Sequence, residues 1–381
     1  MIPLSVPYLN GNEWKYVKEC LDTGWISSAG SYVETFERSV AEYVGMEFGV
    51  ACMNGTVGLQ TSQLIAGVKP GDCVVAPNLT FVATVNSIRH VGANPILIDV
   101  DSSTWQMDLD LIEEYFEKKT TLKKDQGTWN SYRKSDGARI SAMIPVHVLG
   151  NIGDMNRINE LSEKYHFIVI EDAAEALGSH YNNKSAGAFG KIGVFSFNGN
   201  KIISTGGGGV MVTNDEELAR KAKHITTTAK ISSSDYIHDE VGFNYRLVNI
   251  LAAIGVAQLE QLPDVLKKKK KVDQIYREHL EQVNDISFQD FHKNVDSNCW
   301  LSTIRANRMR QLMDYLKSER VECRPLWKPM NQLSMYKNEQ YVSSEDQSRQ
   351  LYESCLSIPS SAGITEKDHC YVINKIKHFY S

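Results

Sequence analysis

The sequence predicts an α/β protein: a seven-stranded, mostly parallel sheet covered on both faces, followed by a smaller C-terminal α+β domain. Three observations carry this reading. Between Phe48 and Thr213, seven short runs rich in β-branched residues (FGVACM, DCVVAP, NPILIDV, ISAMIPV, FIVIED, GVFSF and GVMVT) alternate with helix-like segments. The runs are continuously apolar, as expected of strands buried on both faces in a parallel sheet. Beyond Pro263 this rhythm stops, and helices mix with one clear strand, Trp300–Ala306.

The elements follow in order. The start reads as a helix, Asn12–Leu21, and a turn-rich stretch, Gly24–Ser31. Residues 1–30 are expected to pack with the small domain. Residues 31–262 make the large domain, with amphipathic helices Val57–Ala66, Phe81–Val91 and Met155–Tyr165 between its strands. The short spacing of GVFSF and GVMVT predicts one antiparallel neighbour pair. The polar segment Thr120–Arg139 reads as an exposed loop. An apolar helix, Leu251–Leu262, is expected to end at Pro263, because proline removes a helical hydrogen bond. The boundary to the small domain, 263–381, is set there. That domain contains helices Lys267–Asn284, Arg308–Ser318 and Glu366–Tyr380.

Composition excludes several classes. The chain has 381 residues, 42% apolar and 23% charged, which is ordinary for a soluble globular protein. A net charge of −5 argues against nucleic acid or an anionic membrane as partner. No apolar run approaches the roughly 20 residues of a membrane span. Seven cysteines without CxxC pairs, in a chain with no signal-peptide pattern, are expected to be reduced thiols of a cytoplasmic protein. No HExxH or paired ligand spacing predicts a metal, and no GxxxxGK[ST] loop predicts a P-loop. The run Lys267–Lys271 reads as a solvated helix start.

The chemistry concentrates between Phe167 and Gly209. Asp172 ends the strand FIVIED, and Lys201 follows the strand GVFSF through the turn NGN, ahead of ISTGGGG. One carboxylate and one isolated lysine at a sheet edge are what pyridoxal phosphate requires. The lysine holds it as a Schiff base, and the carboxylate keeps its pyridine nitrogen protonated. Asn54-Gly55-Thr56 lies between a strand and a helix. It reads as an N-cap, or as a phosphate site built on exposed backbone N–H groups with a small residue allowing close approach. Phe81 reads as core or as an aromatic platform for a ring. Ser196 and Asn198 precede the lysine, with a hydroxyl able to donate to phosphate. Asn244 and Arg246 are polar residues in an apolar stretch, which local hydrogen bonds alone would explain. His147 and His180 read as structural or pocket-wall residues.

The ordered segments GTVGLQ, PNLTFVATVNSI, IEDAAEALGS, SFNGNK–ISTGGGGVMVT and GFNYRLVNILAAIGVAQL resemble the DegT/DnrJ/EryC1/StrS family of pyridoxal-phosphate-dependent nucleotide-sugar aminotransferases. The likeness runs from IPLSVPYLNGNE to LSIPSSAGITEKD, and the opening GNEWKYVKECLDTGWISSAGSYVETFE is most similar to a legionaminic-acid-type 4-amino-sugar subgroup. The resemblance implies fold type I, a homodimer with shared active sites, and catalysis by Lys201 with Asp172. It implies cofactor contacts from Gly55, Thr56, Phe81, Glu175, Ser196 and Asn198, with Asn244 reaching across from the partner. It places Trp25, Ile26, Ser27, Ser28 and Arg246 against the nucleotide sugar. The implied reaction moves the amino group of L-glutamate to a UDP-linked 4-keto-6-deoxy sugar for surface glycans. Alternatives are amination at C3, a cyclitol ketone, or a non-catalytic sugar-nucleotide binder. Glu175 stands where many members carry Gln or His, Gly207 where many carry Glu, and Asn331 where His is common. Related dehydratases carry histidine at the lysine position, so Lys201 favours amino transfer.

Overall fold

The computed structural model describes residues 1–125, 127–232 and 234–381. All seven expected strands form: β1 Phe48–Cys52, β2 Cys73–Pro77, β3 Asn94–Ile98, β4 Arg139–Met143, β5 Ile168–Asp172, β6 Ile192–Ser196 and β7 Gly209–Thr213. They lie in the order β1-β7-β6-β5-β4-β2-β3, and Gln340–Val342 adds a parallel strand beside β3. The pairs from β6 through β3 are parallel, whereas β7 is antiparallel to both β6 and β1. The single antiparallel pair expected from the sequence is therefore two, because β7 returns between two strands that run the same way. The carboxyl ends of β1, β2, β5 and β6 consequently share one edge with the start of β7.

Burial follows the strand period of two. Cys73 and Val75 of β2, with Ile96 and Ile98 of β3, enter one apolar cluster, while Val74, Ala76 and Leu97 enter the cluster on the opposite face. Helices cover both faces: α1 Glu13–Thr23, α2 Ser31–Val44, α3 Gly55–Ile65, α4 Val82–His90, α5 Leu109–Lys119, α6 Met155–Tyr165, α7 Glu216–Thr226 and α8 Asn249–Leu280. The later part adds α9 Met309–Ser318, α10 Gln347–Ser354 and α11 Glu366–Tyr380 around a separate cluster that includes Tyr276, Leu312, Leu356 and Ile376. The first residues run along these later elements. Ile2 bridges Val321, and the Leu4 carbonyl accepts from the Ser360 N–H. Among the described residues, no helix is long and apolar enough to cross a membrane.

Three expectations need correction. The helix before Pro263 does not end there: α8 runs through the proline, 32 residues in all from Asn249 to Leu280. A proline inside a helix costs about 3 kcal/mol. Burial on both sides of it offsets that cost, with Ala252, Ala253, Ala257 and Leu262 before it and Val272, Tyr276 and Leu280 after it. The segment Thr120–Arg139 is not a loop. Thr120–Asp125 and Thr128–Arg133 pair as an antiparallel hairpin, and the second strand pairs with β4. Its β-forming Thr, Trp and Tyr residues outweigh its polarity. The lysine run is mid-helix, and Lys269 is buried with its ammonium donating to the Ser360 carbonyl, while Lys268 and Lys270 pair with Asp264 and Asp296.

Candidate active site

Lys201 sits on the turn after β6, with its backbone N–H bonded to the Asn198 carbonyl at 3.0 Å. Its side chain is 11% exposed. The Nζ lies 3.4 Å from Glu175 Oε1 and 4.2 Å from the centroid of the Trp300 ring. Carboxylate and aromatic face both favour a cation, so together they aim the amine into the space above the sheet edge. Trp300 is itself fixed by an Nε1–H bond to the Asn200 carbonyl at 2.7 Å. Glu175 Oε2 accepts the Leu149 N–H at 2.9 Å. Burial raises the Glu175 carboxyl above its usual range, opposed by the neighbouring Lys201 and the Leu149 N–H.

Asp172 ends β5 in the same space and is 5% exposed. Its Oδ2 accepts from the Thr84 hydroxyl at 2.7 Å, and its Oδ1 accepts from the Ala174 N–H at 3.2 Å. Burial raises its pKa, and Thr84, Ala174, Lys201 and His147 oppose that rise in this order. The neighbouring Glu171 points the other way. Its carboxylate is consumed by His147 Nε2 at 2.8 Å and by the N–H groups of Gly187, Phe189 and Gly190. The two adjacent acids thus divide into one structural and one available carboxylate, and His147 is structural.

Between β1 and α3, Asn54 caps the helix by accepting the Val57 N–H at 3.0 Å. The first-turn N–H groups of Gly55 and Thr56 have no partner within the helix, which makes them donors for an anion. A Cβ on Gly55 would come 3.1 Å from Ser196 Cβ and 3.5 Å from Ser196 Oγ. Helix start and β6 end therefore form a cradle that a side chain would fill. The strand β7 closes its floor: a Cβ on Gly209 would sit 2.7 Å from the Asn54 carbonyl carbon, so only glycine allows this approach. Of the four glycines 206–209, Gly208 and Gly209 serve close packing, whereas Gly206 takes a φ of +84° at the turn and Gly207 has room for a Cβ.

One cavity of about 590 Å³ gathers Gly55, Thr56, Phe81, Asp172, Glu175, Ser196, Asn198 and Lys201 on its lining. Phe81, at the N-cap of α4, is 53% exposed. An aromatic face, a buried carboxylate, a lysine and an anion cradle around one space fit pyridoxal phosphate. Asn200 Oδ1, buried on the same wall, has no hydrogen-bond partner. Sequence reasoning missed Thr84, Asn200, Trp300, Arg324 and Trp327, which also line it. Thr84 alone left a signal, since it falls three residues after Phe81 on the first helical turn.

Other expected residues are not brought to this cavity by their own chain. Arg246 and Asn244 are exposed and bond each other at 3.0 Å. Trp25 and Ile26 are 58% and 48% exposed, and Ser27 and Ser28 lie with them in a segment pinned to the start of α8. There, Asn249 Nδ2 donates to the Trp25 carbonyl at 2.7 Å and the Asn249 N–H donates to the Ser27 carbonyl at 2.6 Å. Asn331 bonds Asn78, away from the cavity lining.

Lysine and carboxylate meeting beside an anion cradle on a mostly parallel sheet define a fold type I, pyridoxal-phosphate-dependent transferase. The chain belongs to the DegT/DnrJ/EryC1/StrS aminotransferase family, whose sequence profile matches residues 7–377. It is 36% identical to a GDP-perosamine synthase of Escherichia coli O157:H7, covering 100% of this chain and 99% of that protein. It is 35% identical to a GDP-perosamine synthase of Caulobacter vibrioides, covering 96% and 95%. A crystal structure of a DegT DnrJ EryC1 StrS aminotransferase from Brucella abortus superposes with a TM-score of 0.88 at 28% identity, covering 97% of this chain and 95% of that one. The protein is a sugar aminotransferase, and pyridoxal phosphate is its cofactor.

Proposed function

We propose that this enzyme moves the amino group of L-glutamate onto C4 of a 4-keto-6-deoxy nucleotide sugar used in surface-glycan synthesis. The observation that carries the site assignment is the convergence of Lys201, Asp172, Phe81 and the Gly55–Thr56–Ser196 cradle on one cavity. When bound there, pyridoxal phosphate supplies the electron sink for amino transfer. Lys201 Nζ tethers the cofactor and moves the proton at the reacting carbon, where general acid–base help contributes roughly 100- to 10,000-fold. Asp172 holds the proton on the pyridine nitrogen. Gly55 and Thr56 N–H groups and the Ser196 and Asn198 side chains bind the phosphate end, and Phe81 covers the ring face. Glu175 and Trp300 steady Lys201 Nζ.

The relatives' names bear on the nucleotide. Three relatives covering nearly their whole length are GDP-perosamine synthases, which favours a guanosine-linked sugar over the uridine-linked and legionaminic-type expectation. A homodimer completes the site in this reading. Ile231, Tyr236, Ile237 and Val241 are exposed apolar residues just before Asn244 and Arg246, and Trp25 and Ile26 are exposed in the segment held by Asn249. Covering them with a second copy would let Asn244 and Arg246 reach the partner's cavity, with Trp25–Ser28 beside the sugar. The enzyme would work in the cytoplasm, where nucleotide sugars and glutamate are both present. A panel of keto sugars carried on GDP, UDP and dTDP, supplied with glutamate, tests this assignment. The expected result is a 4-amino product from the GDP-linked substrate with release of 2-oxoglutarate. Amination at C3, or turnover only of a cyclitol ketone, would overturn it.

A further inference from the structure

Two threonines the reaction does not call for are built against Asp172. Thr80 and Thr84 are fully buried, and their hydroxyl oxygens lie 2.9 Å apart. Thr84 has a single hydroxyl hydrogen, and it is directed at Asp172 Oδ2 at 2.7 Å. In the Thr80–Thr84 contact Thr80 must therefore be the donor. Its other acceptor, the Phe81 carbonyl, is more distant at 3.3 Å. The two O–H dipoles thus point the same way, toward the carboxylate, and successive hydrogen bonds of one direction polarise each other.

The backbone adds to this. Thr84 is in the first turn of α4, a nine-residue helix whose cap is Phe81. The positive end of that helix faces the sheet edge from which Asp172 projects, and it favours negative charge there. The same short segment, Thr80–Thr84, presents the Phe81 ring to the cavity. Against the relay stand the burial of Asp172 and the like charge of Glu175 across the cavity, while Lys201 and His147 act with it.

We propose that Thr80 and Thr84 form a directed hydroxyl relay that keeps Asp172 a carboxylate, making Thr84 the positioning residue for the pyridine nitrogen's proton. This rests on the reading in which Asp172 faces that nitrogen. Without the relay, the Asp172 carboxyl would take up a proton more readily and would hold one less firmly on a ring nitrogen facing it, although every residue lining the cofactor's space is intact. Thr84→Val keeps the shape and removes the donor. Thr84→Ser keeps the donor and removes only a methyl. Thr80→Val removes the outer half of the relay.

The experiment reconstitutes each full-length apoprotein with pyridoxal phosphate labelled at the pyridine nitrogen and reads that nitrogen by NMR across pH, alongside cofactor affinity. In Thr84→Val the signal at neutral pH moves toward that of neutral pyridine. Cofactor affinity falls about tenfold, as loss of a hydrogen bond to a charged group predicts. Turnover drops while KM for glutamate holds. Thr84→Ser restores the wild-type signal, and Thr80→Val gives a smaller displacement of the same sign. An unchanged nitrogen signal in folded Thr84→Val, or a Thr84→Ser protein as impaired as Thr84→Val, overturns the relay. If Thr84→Val does not fold, the proposal stands or falls on whether Thr80→Val displaces the signal. Asp172→Asn separates the two levels. A nitrogen signal that ignores Asp172→Asn defeats the cofactor assignment itself, whereas one that responds to Asp172→Asn but not to the threonine variants defeats only the relay.

Discussion

Replacing Gly55 with alanine separates stability from cofactor binding, because at this position stability should barely change while cofactor affinity falls. Gly55 opens α3, where alanine is favoured over glycine by up to about 1 kcal/mol. The added Cβ would meet Ser196 Cβ at 3.1 Å, which requires the end of β6 to give by a few tenths of an ångström. These terms nearly cancel, so the apoprotein should melt within a few degrees of wild type. The methyl, however, stands in the cradle between the helix N–H groups and the Ser196 hydroxyl. Displacing the phosphate from one charge-assisted hydrogen bond forfeits about 1.5–3 kcal/mol, or roughly a ten- to hundredfold loss of affinity. Titrating apoprotein with pyridoxal phosphate while following absorbance measures the affinity, and inorganic phosphate as competitor isolates the cradle. Unchanged cofactor affinity would refute the cradle argument. So would an affinity loss that merely tracks a fall in apoprotein melting temperature.

Other perturbations test other parts. Asp172→Asn should lower turnover by orders of magnitude, because the fixed negative charge that keeps the ring nitrogen protonated is lost. It should also stabilise the apoprotein as pH rises. The folded carboxyl is raised above its unfolded value by burial, so the unfolded state loses its proton first and wild-type stability falls through that interval. Denaturant melts of the wild type and variant at acidic and neutral pH should therefore diverge toward neutral pH, and parallel curves would contradict this. Pro263→Ala restores a hydrogen bond inside α8 and should raise stability by about 1–3 kcal/mol. Thermal unfolding checks it, and a lowered melting temperature would mean the helix is shaped around the proline.

The lining of the candidate site was legible where polar residues sit at the ends of strands. Asp172, Ser196 and Gly55 each lie at, or just past, an apolar run whose length and flanking turn were plain in the sequence, and the topology of a parallel sheet then brings those ends to one edge. Lys201 and Phe81 follow the same logic one turn further on. What escaped was set by packing between distant segments. Trp300 reaches Lys201 from 99 positions away along the chain, and no local pattern marks it. Arg324 and Trp327 join the cavity wall because Cys355–Ser357 pairs with Arg324–Pro325. At Pro263 the local signal was correct in kind and overruled by burial on both halves of α8. The hairpin Thr120–Arg133 shows the reverse: its polar composition concealed β-forming residues, Thr120, Thr121, Thr128, Trp129 and Tyr132, on both strands.

All of this depends on Lys201 Nζ being the amine that tethers the cofactor. Borohydride reduction of the holoenzyme, followed by peptide mass spectrometry, tests it most directly. A pyridoxyl-phosphate adduct is expected on the peptide carrying Lys201, absent when excess glutamate is added first without an acceptor sugar. An adduct on any other lysine, or none on a holoenzyme that still turns over, would contradict it.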